Sequence, residues 1–412
     1  MVCLNMLEIL GICKLLYNRS LTLIRLTLIV FLTLFSLSLA SGQNRLERDL
    51  INEGFENVKH FVCDIKDIIF VEATAYKSKE RANEDLKKII EKNITDLQNK
   101  YFELVMLRNG IPVNRLYAEI DDYGKVIIVH KDRSKSKTKV LSNSVIKRDN
   151  LLNNNRWKAD LNFYPQFRFK NSRLDRIYLV QLNLNPTFEL NLWRGAKLTA
   201  QLIIPLYNDY SLEESEIRPG YVTFSQHVRL PGDVHLLATA GNFNMFRTGV
   251  DFKLYKSLTP TLGAYGQFGA TFWSLPLFHK WIYDDFEHFN WRLGFNYYLP
   301  SKKVLSNLCI SKYLDNDIAL RGEVVRFFSN SAVGFYIQSL QYEGYSFNGG
   351  FFFSIKLPPY KHKRKRWLRV NSGENFSIEY IARPYPQRGR FYFTSPEESS
   401  SFNFFNNLLT GN

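Results

Sequence analysis

The sequence predicts a mainly β protein: an antiparallel transmembrane β-barrel of about 12–14 strands preceded by a small α/β domain. Three observations predict it. Long stretches alternate apolar and polar residues with period two, as a strand with one greasy and one wet face does. In "FNWRLGFNYYL", Phe289, Trp291, Leu293, Phe295 and Tyr297 oppose Asn290, Arg292, Gly294, Asn296 and Tyr298. These stretches also run to about ten residues or more, the length that crosses a bilayer at a tilt. Finally, 33 Phe, 23 Tyr and 6 Trp among 412 residues are many, and they gather at strand ends, as in Phe272-Trp273, Tyr297-Tyr298 and Phe351-Phe352-Phe353. A lipid interface favours rings there.

The N-terminal segment, 1–40, reads as a secretory signal peptide. Arg19 and Arg25 precede an apolar run from Leu26 to Leu39, which closes on Ser38-Leu39-Ala40, small residues where a signal peptidase reads. A membrane anchor is the other reading, because Leu21–Leu39 nearly spans a bilayer. Beyond residue 42 no apolar run has the length of a helical span, so an exported chain of this kind enters a membrane only as a barrel. Hydrophobic content of 45% excludes a disordered chain and a bundle of membrane helices. A net charge of +15 suits an acidic partner or plain solubility. After a leader the partner is not nucleic acid. Cys63 and Cys309 remain beyond the leader; two cysteines make no disulfide framework, and a buried thiol apiece is expected.

Residues 43–130 read as the small α/β domain. "NRLERDLINEGFENV" is an amphipathic helix with Leu46, Leu50, Ile51 and Phe55 on one face, stopping near Gly54. "DIIFVEATAY" is a strand. "SKERANEDLKKIIEKNITDLQNKYFELVM" reads as one charged amphipathic helix with Ser78 at its N-cap, and "RLYAEID" with "KVIIVH" as a hairpin around Asp122-Tyr123-Gly124. Residues 131–155 are polar and basic, a linker. From 156 to 400, about thirteen strand candidates follow, where even-numbered closure asks for twelve or fourteen. Asn208-Asp209, Pro231-Gly232, Pro300-Ser301, Ser329-Asn330 and Pro358-Pro359 punctuate them. The alternation alone also fits a secreted soluble β-sandwich that binds glycans, with its apolar face turned inward.

If the apolar faces meet lipid, Gln181, Asn183, Asn185, Gln201, Asn290, Arg292, Asn296, Tyr336 and Gln338 project into a lumen. There they either bind sugar hydroxyls or bond to one another and fill the space. Arg321 and Arg326 have opposite strand parity, so one of them leaves the lumen. "YKHKRKRWLRV" is the strongest charge run, and Lys361, Lys363, Arg364, Lys365 and Arg366 suit anionic headgroups or an acidic glycan; a solvated loop is the alternative.

Catalytic motifs are few. Asp315-Asn316-Asp317 has the spacing of a metal-holding pair but reads as a turn between strands. His279, Asp284, Asp285 and His288 share one loop at no familiar ligand spacing. Glu323 and Glu343 sit beside neighbouring strands, as pairs do by chance in a large sheet. No catalytic residue, no metal and no cofactor is expected.

One stretch resembles a known family. "LCISKYLDNDIALRGEVVRFFSNSAVGFYIQSLQYEGYSFNGGFFFSIKLPP", residues 308–359, is similar to the YjbH/GfcD group of outer-membrane proteins linked to exopolysaccharide and group 4 capsule production. The matching residues are Tyr313, Leu314, Asp317, Arg326, Phe327, Asn330, Val333, Gly334, Phe335, Gly349, Gly350, Ile355 and Pro358. "INEGFENVKHF" resembles the small periplasmic domain that precedes the barrel in that group. The resemblance implies a non-catalytic barrel in the outer membrane of a Gram-negative bacterium, acting in polysaccharide export or assembly. Its expected partners are outer-membrane lipid, an acidic polysaccharide and periplasmic export proteins.

Overall fold

A computed structural model describes residues 44–64, 66–129, 151–170, 179–285, 288–341, 344–381 and 388–410. The expected leader and most of the basic linker lie outside the described residues. The chain is mainly β, in a five-stranded sheet and a much larger antiparallel one.

Helix α1 (Arg45–Glu53) stops at Gly54, whose φ of 106° is the left-handed turn that glycine adopts without a Cβ penalty. Five strands follow: β1 (Glu56–Val62), β2 (Asp67–Glu72), β3 (Tyr101–Arg108), β4 (Ile111–Ile120) and β5 (Val126–Val129), hydrogen-bonded in that order. The pair β2–β3 is parallel, joined by helix α2 (Lys79–Lys92); β4–β5 is the expected hairpin. The long second helix of the sequence reading is cut short. It ends at Asn93, whose Nδ2 donates to the Ile89 carbonyl at 2.9 Å, and "YFELVML" beyond it is strand β3. Every residue from Phe102 to Leu107 is buried, which a one-sided helix cannot achieve but a strand covered on both faces can. Leu46, Leu50, Leu86 and Ile90 of the helices pack on Ile69, Val71, Phe102 and Leu104; Ile68, Phe70, Val105 and Leu107 form a second cluster.

The large sheet comprises β6 (Ala159–Lys170), β7 (Leu179–Asn191), β8 (Ala196–Asn208), β9 (Arg218–Leu230), β10 (Val234–Phe243), β11 (Arg247–Ser257), β12 (Leu262–Pro276), β13 (Trp281–Tyr283), β14 (His288–Leu299), β15 (Val304–Lys312), β16 (Ile318–Phe327), β17 (Ser331–Gln341), β18 (Tyr345–Lys356), β19 (Leu368–Ser372) and β20 (Asn375–Ile381). Its order is β19-β6-β7-β8-β9-β10-β11-β12-β14-β15-β16-β17-β18-β20, with β13 attached to β12.

Its faces are inverted relative to a water-soluble sheet. Along β17, Val333, Phe335 and Ile337 are exposed while Tyr336 and Gln338 are buried. On β14, Phe289, Leu293 and Phe295 are exposed and Asn290 and Asn296 are buried. The same parity holds on β7, β8, β9, β11, β15 and β16, and the buried, polar face is the concave one, since residues from β6 to β20 line a single cavity.

At one end, strands of this sheet are joined by short turns (191–196, 230–234, 257–262, 299–304, 327–331) and by the long connection 356–368; the other end mixes a short turn (243–247) with longer connections, including 208–218 and 276–288. The small sheet packs on the short-turn end. Asn109 Nδ2 donates to the Ala196 carbonyl at 2.9 Å, Arg194 Nε to the Gly110 carbonyl at 3.0 Å, and Lys303 pairs with Glu80.

The sequence bounds the barrel at 400, with "NFSIEYIAR" (375–383) as its last strand candidate. Among the described residues the last strand ends at Ile381, and 388–410 runs back along the concave face as a segment without strand, finishing as helix α3 (Phe404–Thr410). Its contacts fall on strands far apart in the sheet: Tyr392 on Asp251 of β11, Phe391 beneath Arg292 of β14, Ser399 beside Ser354 of β18.

Near the small unit, consecutive strands β19 and β20 change partner. β19 pairs parallel with β6 and β20 pairs antiparallel with β18, Gly373 and Glu374 lying between. The switch leaves carbonyls that no strand neighbour takes, and Lys77 takes them. Its Nζ donates to Leu357 O (2.9 Å), Ser372 O (3.0 Å), Gly373 O (2.9 Å) and Ser372 Oγ (2.6 Å). Lys77→Met keeps the stem and strands those acceptors, so it should cost about 3 kcal/mol of stability. A denaturant midpoint equal to that of the parent would refute the role.

Candidate functional site

All nine residues expected in a lumen lie on the concave face, but they do different work there. Asn183 and Asn185 both donate to Gln166 Oε1, at 2.9 and 3.3 Å, and Gln201 donates to Thr187 Oγ1 at 2.8 Å. Gln181 accepts from Arg168 (2.9 Å) and donates to Asn208 (3.1 Å). Strand pairing sets this ladder: Gln166 stands opposite Asn183, and Thr187 opposite Gln201. Across the sheet, Asn290 Nδ2 donates to the Tyr313 carbonyl at 2.7 Å, and Asn296 Nδ2 to the Phe405 carbonyl at 3.4 Å. Gln338 Oε1 accepts from Tyr313 at 3.3 Å, and the Arg321 guanidinium lies 3.6 Å from the centre of the Tyr336 ring. The parity question resolves cleanly: Arg321 is enclosed, and Arg326 is exposed against Phe328.

Between this face and residues 388–410 lies a cavity of about 1000 Å³. Asn185, Gln201 and Arg292 of the nine border it; the other six are engaged with neighbours or with the C-terminal segment. The cavity wall combines rings (Tyr164, Tyr210, Tyr265, Phe391) with amides and with charges of both signs, several of them already paired. Glu214 holds Arg168 at 2.8 Å and Arg218 at 3.4 Å; Arg321 reaches Glu323 at 2.5 Å and Glu379 at 3.5 Å. A wall of this kind offers flat apolar faces and two-way hydrogen bonding with little net field.

The cavity is floored on the short-turn side. Phe402, Phe404, Phe405 and Leu409 pack with Tyr265, Leu305, Val325, Phe327 and Phe352 of the sheet. Lys253 Nζ holds both oxygens of Glu398 at 2.6 Å, and Tyr392 donates to Asp251 at 2.9 Å. Gly269 makes room for that tyrosine: any side chain there would overlap the Tyr392 hydroxyl. Strand parity could have placed Asp251 and Lys253 on the polar face. Nothing local points to Tyr392 or Glu398 as their partners.

The basic run goes largely to a different use from the anionic surface expected of it. Lys361 pairs with Glu53 and with Asp85 (2.7 Å), and Lys363 with Glu53 (3.5 Å), so both bind the small unit. Arg364 joins Glu56 (3.1 Å) to Asp160 of β6 (2.8 Å), and Arg369 grips Asp160 (2.8 Å) and the Thr74 carbonyl (2.7 Å). Lys365 and Arg366 are exposed beside an exposed Trp367. Lys363 is exposed too but turned to Glu53, so Lys365 and Arg366 keep the placement that an outer anionic surface needs.

The other motifs fall into place as structure. Asn316 takes φ 60° in a turn, Asp315 pairs with Arg388 at 3.1 Å, and Asp317 accepts from the Gly389 N–H at 2.7 Å. His279 lies 3.5 Å from Glu216, with Asp284 and Asp285 exposed. Among the described residues, no three His, Cys, Asp or Glu side chains gather as a metal set. Glu343 lies outside the described residues. Cys309 is buried and Cys63 half-buried, both as free thiols.

The junction has a definite pH window. Burial works to raise the Asp85 carboxyl, but hydrogen bonds from Lys361 and Tyr76 outweigh it and hold it below its usual 3.8. The hydrogen bond from Lys303 lowers Glu80 in the same way, against burial. Burial opposes the Lys361 charge, yet Asp85 and Glu53 raise it above its usual 10.5. The carboxylate contributions are therefore complete above their unfolded values and lost as pH falls through the depressed ones. The lysine contribution is complete below its unfolded value and lost as pH rises through the raised one. Protease resistance of the 357–369 connection should hold between about pH 5 and pH 10 and fall outside it; loss centred near neutral pH would contradict this. No family model, curated protein or solved structure matches this chain.

Proposed function

We propose that this chain is an outer-membrane β-barrel, with its small α/β unit in the periplasm, that serves export or assembly of an extracellular polysaccharide without covalent catalysis. The single observation that carries the membrane half is the inversion of the sheet. Phe335, Ile337, Leu308 and Phe295 are exposed, at 64%, 74%, 57% and 56%, while amides and charges are enclosed. In water each such side chain forgoes about 1.5–3 kcal/mol of burial; against acyl chains it forgoes nothing. A soluble sandwich would bury this same face between two sheets.

Three features support closure and orientation. The segment Leu368–Ile381 reaches β6 on one side and β18 on the other; counted as one strand, it turns the fourteen names of the sheet path into a thirteen-strand circuit. An up-and-down circuit with an odd number of strands must end in parallel neighbours, as β19 and β6 are. Exposed rings gather at two levels, with Trp157, Trp193, Phe328 and Trp367 near the small unit and Tyr207, Phe278, Trp281 and Tyr283 at the far end. These are the positions of interfacial girdles, and the short turns beside the small unit correspond to periplasmic ones. Lys365 and Arg366 next to Trp367 then meet anionic headgroups.

The polysaccharide half rests on the resemblance of residues 308–359 and on the chemistry of the cavity. Sugar hydroxyls donate and accept, and sugar rings have apolar faces, so amides and aromatic side chains without a strong net field suit them. Acidic polymers and periplasmic export proteins remain the partners of this proposal.

Ile337→Lys is the sharpest test. At the middle of a lipid-facing strand a lysine costs about 2–4 kcal/mol, whereas on a wetted sheet it is close to neutral. Loss of heat-modifiable migration and of outer-membrane assembly is expected. Normal folding of the variant in the soluble fraction would end the barrel reading. For the second half, deletion of the gene should lower surface polysaccharide, and an unchanged yield would count against it.

A further inference from the structure

The floor of the cavity is tied to the small unit through one carboxylate. Glu397 Oε1 lies 2.7 Å from Arg108 Nη2, at the end of β3, and 3.3 Å from Lys197 Nζ of β8; Lys197 is shared with Glu189 at 2.9 Å. Two carboxylates and two cations thus balance at the short-turn mouth. Arg108 is the only member of this set that belongs to the small unit.

Its position is built with care. Asn109 and Gly110, the next two residues, both have positive φ, 47° and 71°. The buried Glu72 accepts from their N–H groups at 2.6 and 2.9 Å. Because Glu72 belongs to β2, a displacement of the small unit moves Arg108 as part of a rigid turn, and it must also break the bond from the Gly195 N–H of the large sheet to the Asn109 carbonyl (2.8 Å).

Withdrawing Arg108 leaves Glu189 and Glu397 on the one ammonium of Lys197. Like charges on a shared, largely enclosed partner repel, and only Glu397 sits on a segment held by side-chain contacts and not by a ladder of backbone bonds. We infer that residues 388–410 are a displaceable gate, and that Arg108 of the small unit is its latch. A periplasmic partner that shifts the small unit would release Glu397, and with it the phenylalanine floor, opening the cavity toward the periplasm. The inference rests on the barrel reading above and adds its regulation.

The test uses the full chain in planar bilayers. Arg108→Ala and Glu397→Gln should each raise the mean current about tenfold over the parent, while Lys100→Ala, an exposed position of the same unit, should not. Ser354 and Ser399 have hydroxyls 3.2 Å apart, one on β18 and one on the gate. Cysteines at both positions, oxidised in the Arg108→Ala background, should return the current to the parent level until a reductant is added. Parent-level currents in both single variants, with heat-modifiable migration intact, would overturn the latch and leave the barrel standing. A raised current that the crosslink does not suppress would overturn the gate. Absence of every variant and of the parent from the outer-membrane fraction would overturn the barrel reading, and the gate with it.

Discussion

The large sheet encloses its polar face, and that constraint governs the rest of the molecule. Amides, arginines and carboxylates lie where bulk water does not solvate them freely, so each needs a partner nearby. Neighbouring strands supply part of the need, as Gln166 does for Asn183 and Asn185. The C-terminal segment supplies much of the remainder, through Tyr392 on Asp251 and Glu398 on Lys253. Its rings also pack on Tyr265 and Phe327, covering apolar surface on that face. A sheet this wide leaves room beside its polar face that its own side chains do not fill, and the returning segment occupies part of it.

The seam and the junction answer a second need. Where the chain passes from β19 to β20, hydrogen bonding to β6 gives way to hydrogen bonding to β18. Polar backbone left at such a switch is costly unless capped. Lys77, from the small unit, caps it, and Arg364 and Arg369 tie Asp160 of β6 to the same region. The small unit is thus part of the architecture of the sheet and not a passenger on it. That same contact gives it access to the floor of the cavity through Arg108.

Much of the pattern could be read along the chain. Period-two alternation assigned the facing of all nine polar candidates, because side-chain direction in a strand depends on residue parity and on nothing remote. The stop of α1 at Gly54, the hairpin at Asp122-Tyr123-Gly124 and the turn at Asp315-Asn316-Asp317 are likewise local. Strand β3 was hidden, because "NKYFELVM" follows a strongly helical run and its strand character comes from burial on both faces. The basic run shows the same limit. Six cations within nine residues (361–369) are plain to see, but Glu53, Asp85, Glu56 and Asp160 lie some 200 to 300 positions away, and only folding brings them together.

Composition and periodicity therefore settle which side chains turn inward and which turn outward, since that follows from the pleat of each strand. They leave open what the inward side chains touch. Residues 388–410, rich in phenylalanine, serine and asparagine, have no period that marks them as filling. They acquire that place from an interior whose size and charge arise when distant strands pair. Whether an enclosed amide faces a cavity, as Asn185 does, or a phenylalanine carbonyl, as Asn296 does, depends on contacts between segments more than a hundred positions apart. Short-range propensity carries no information about them.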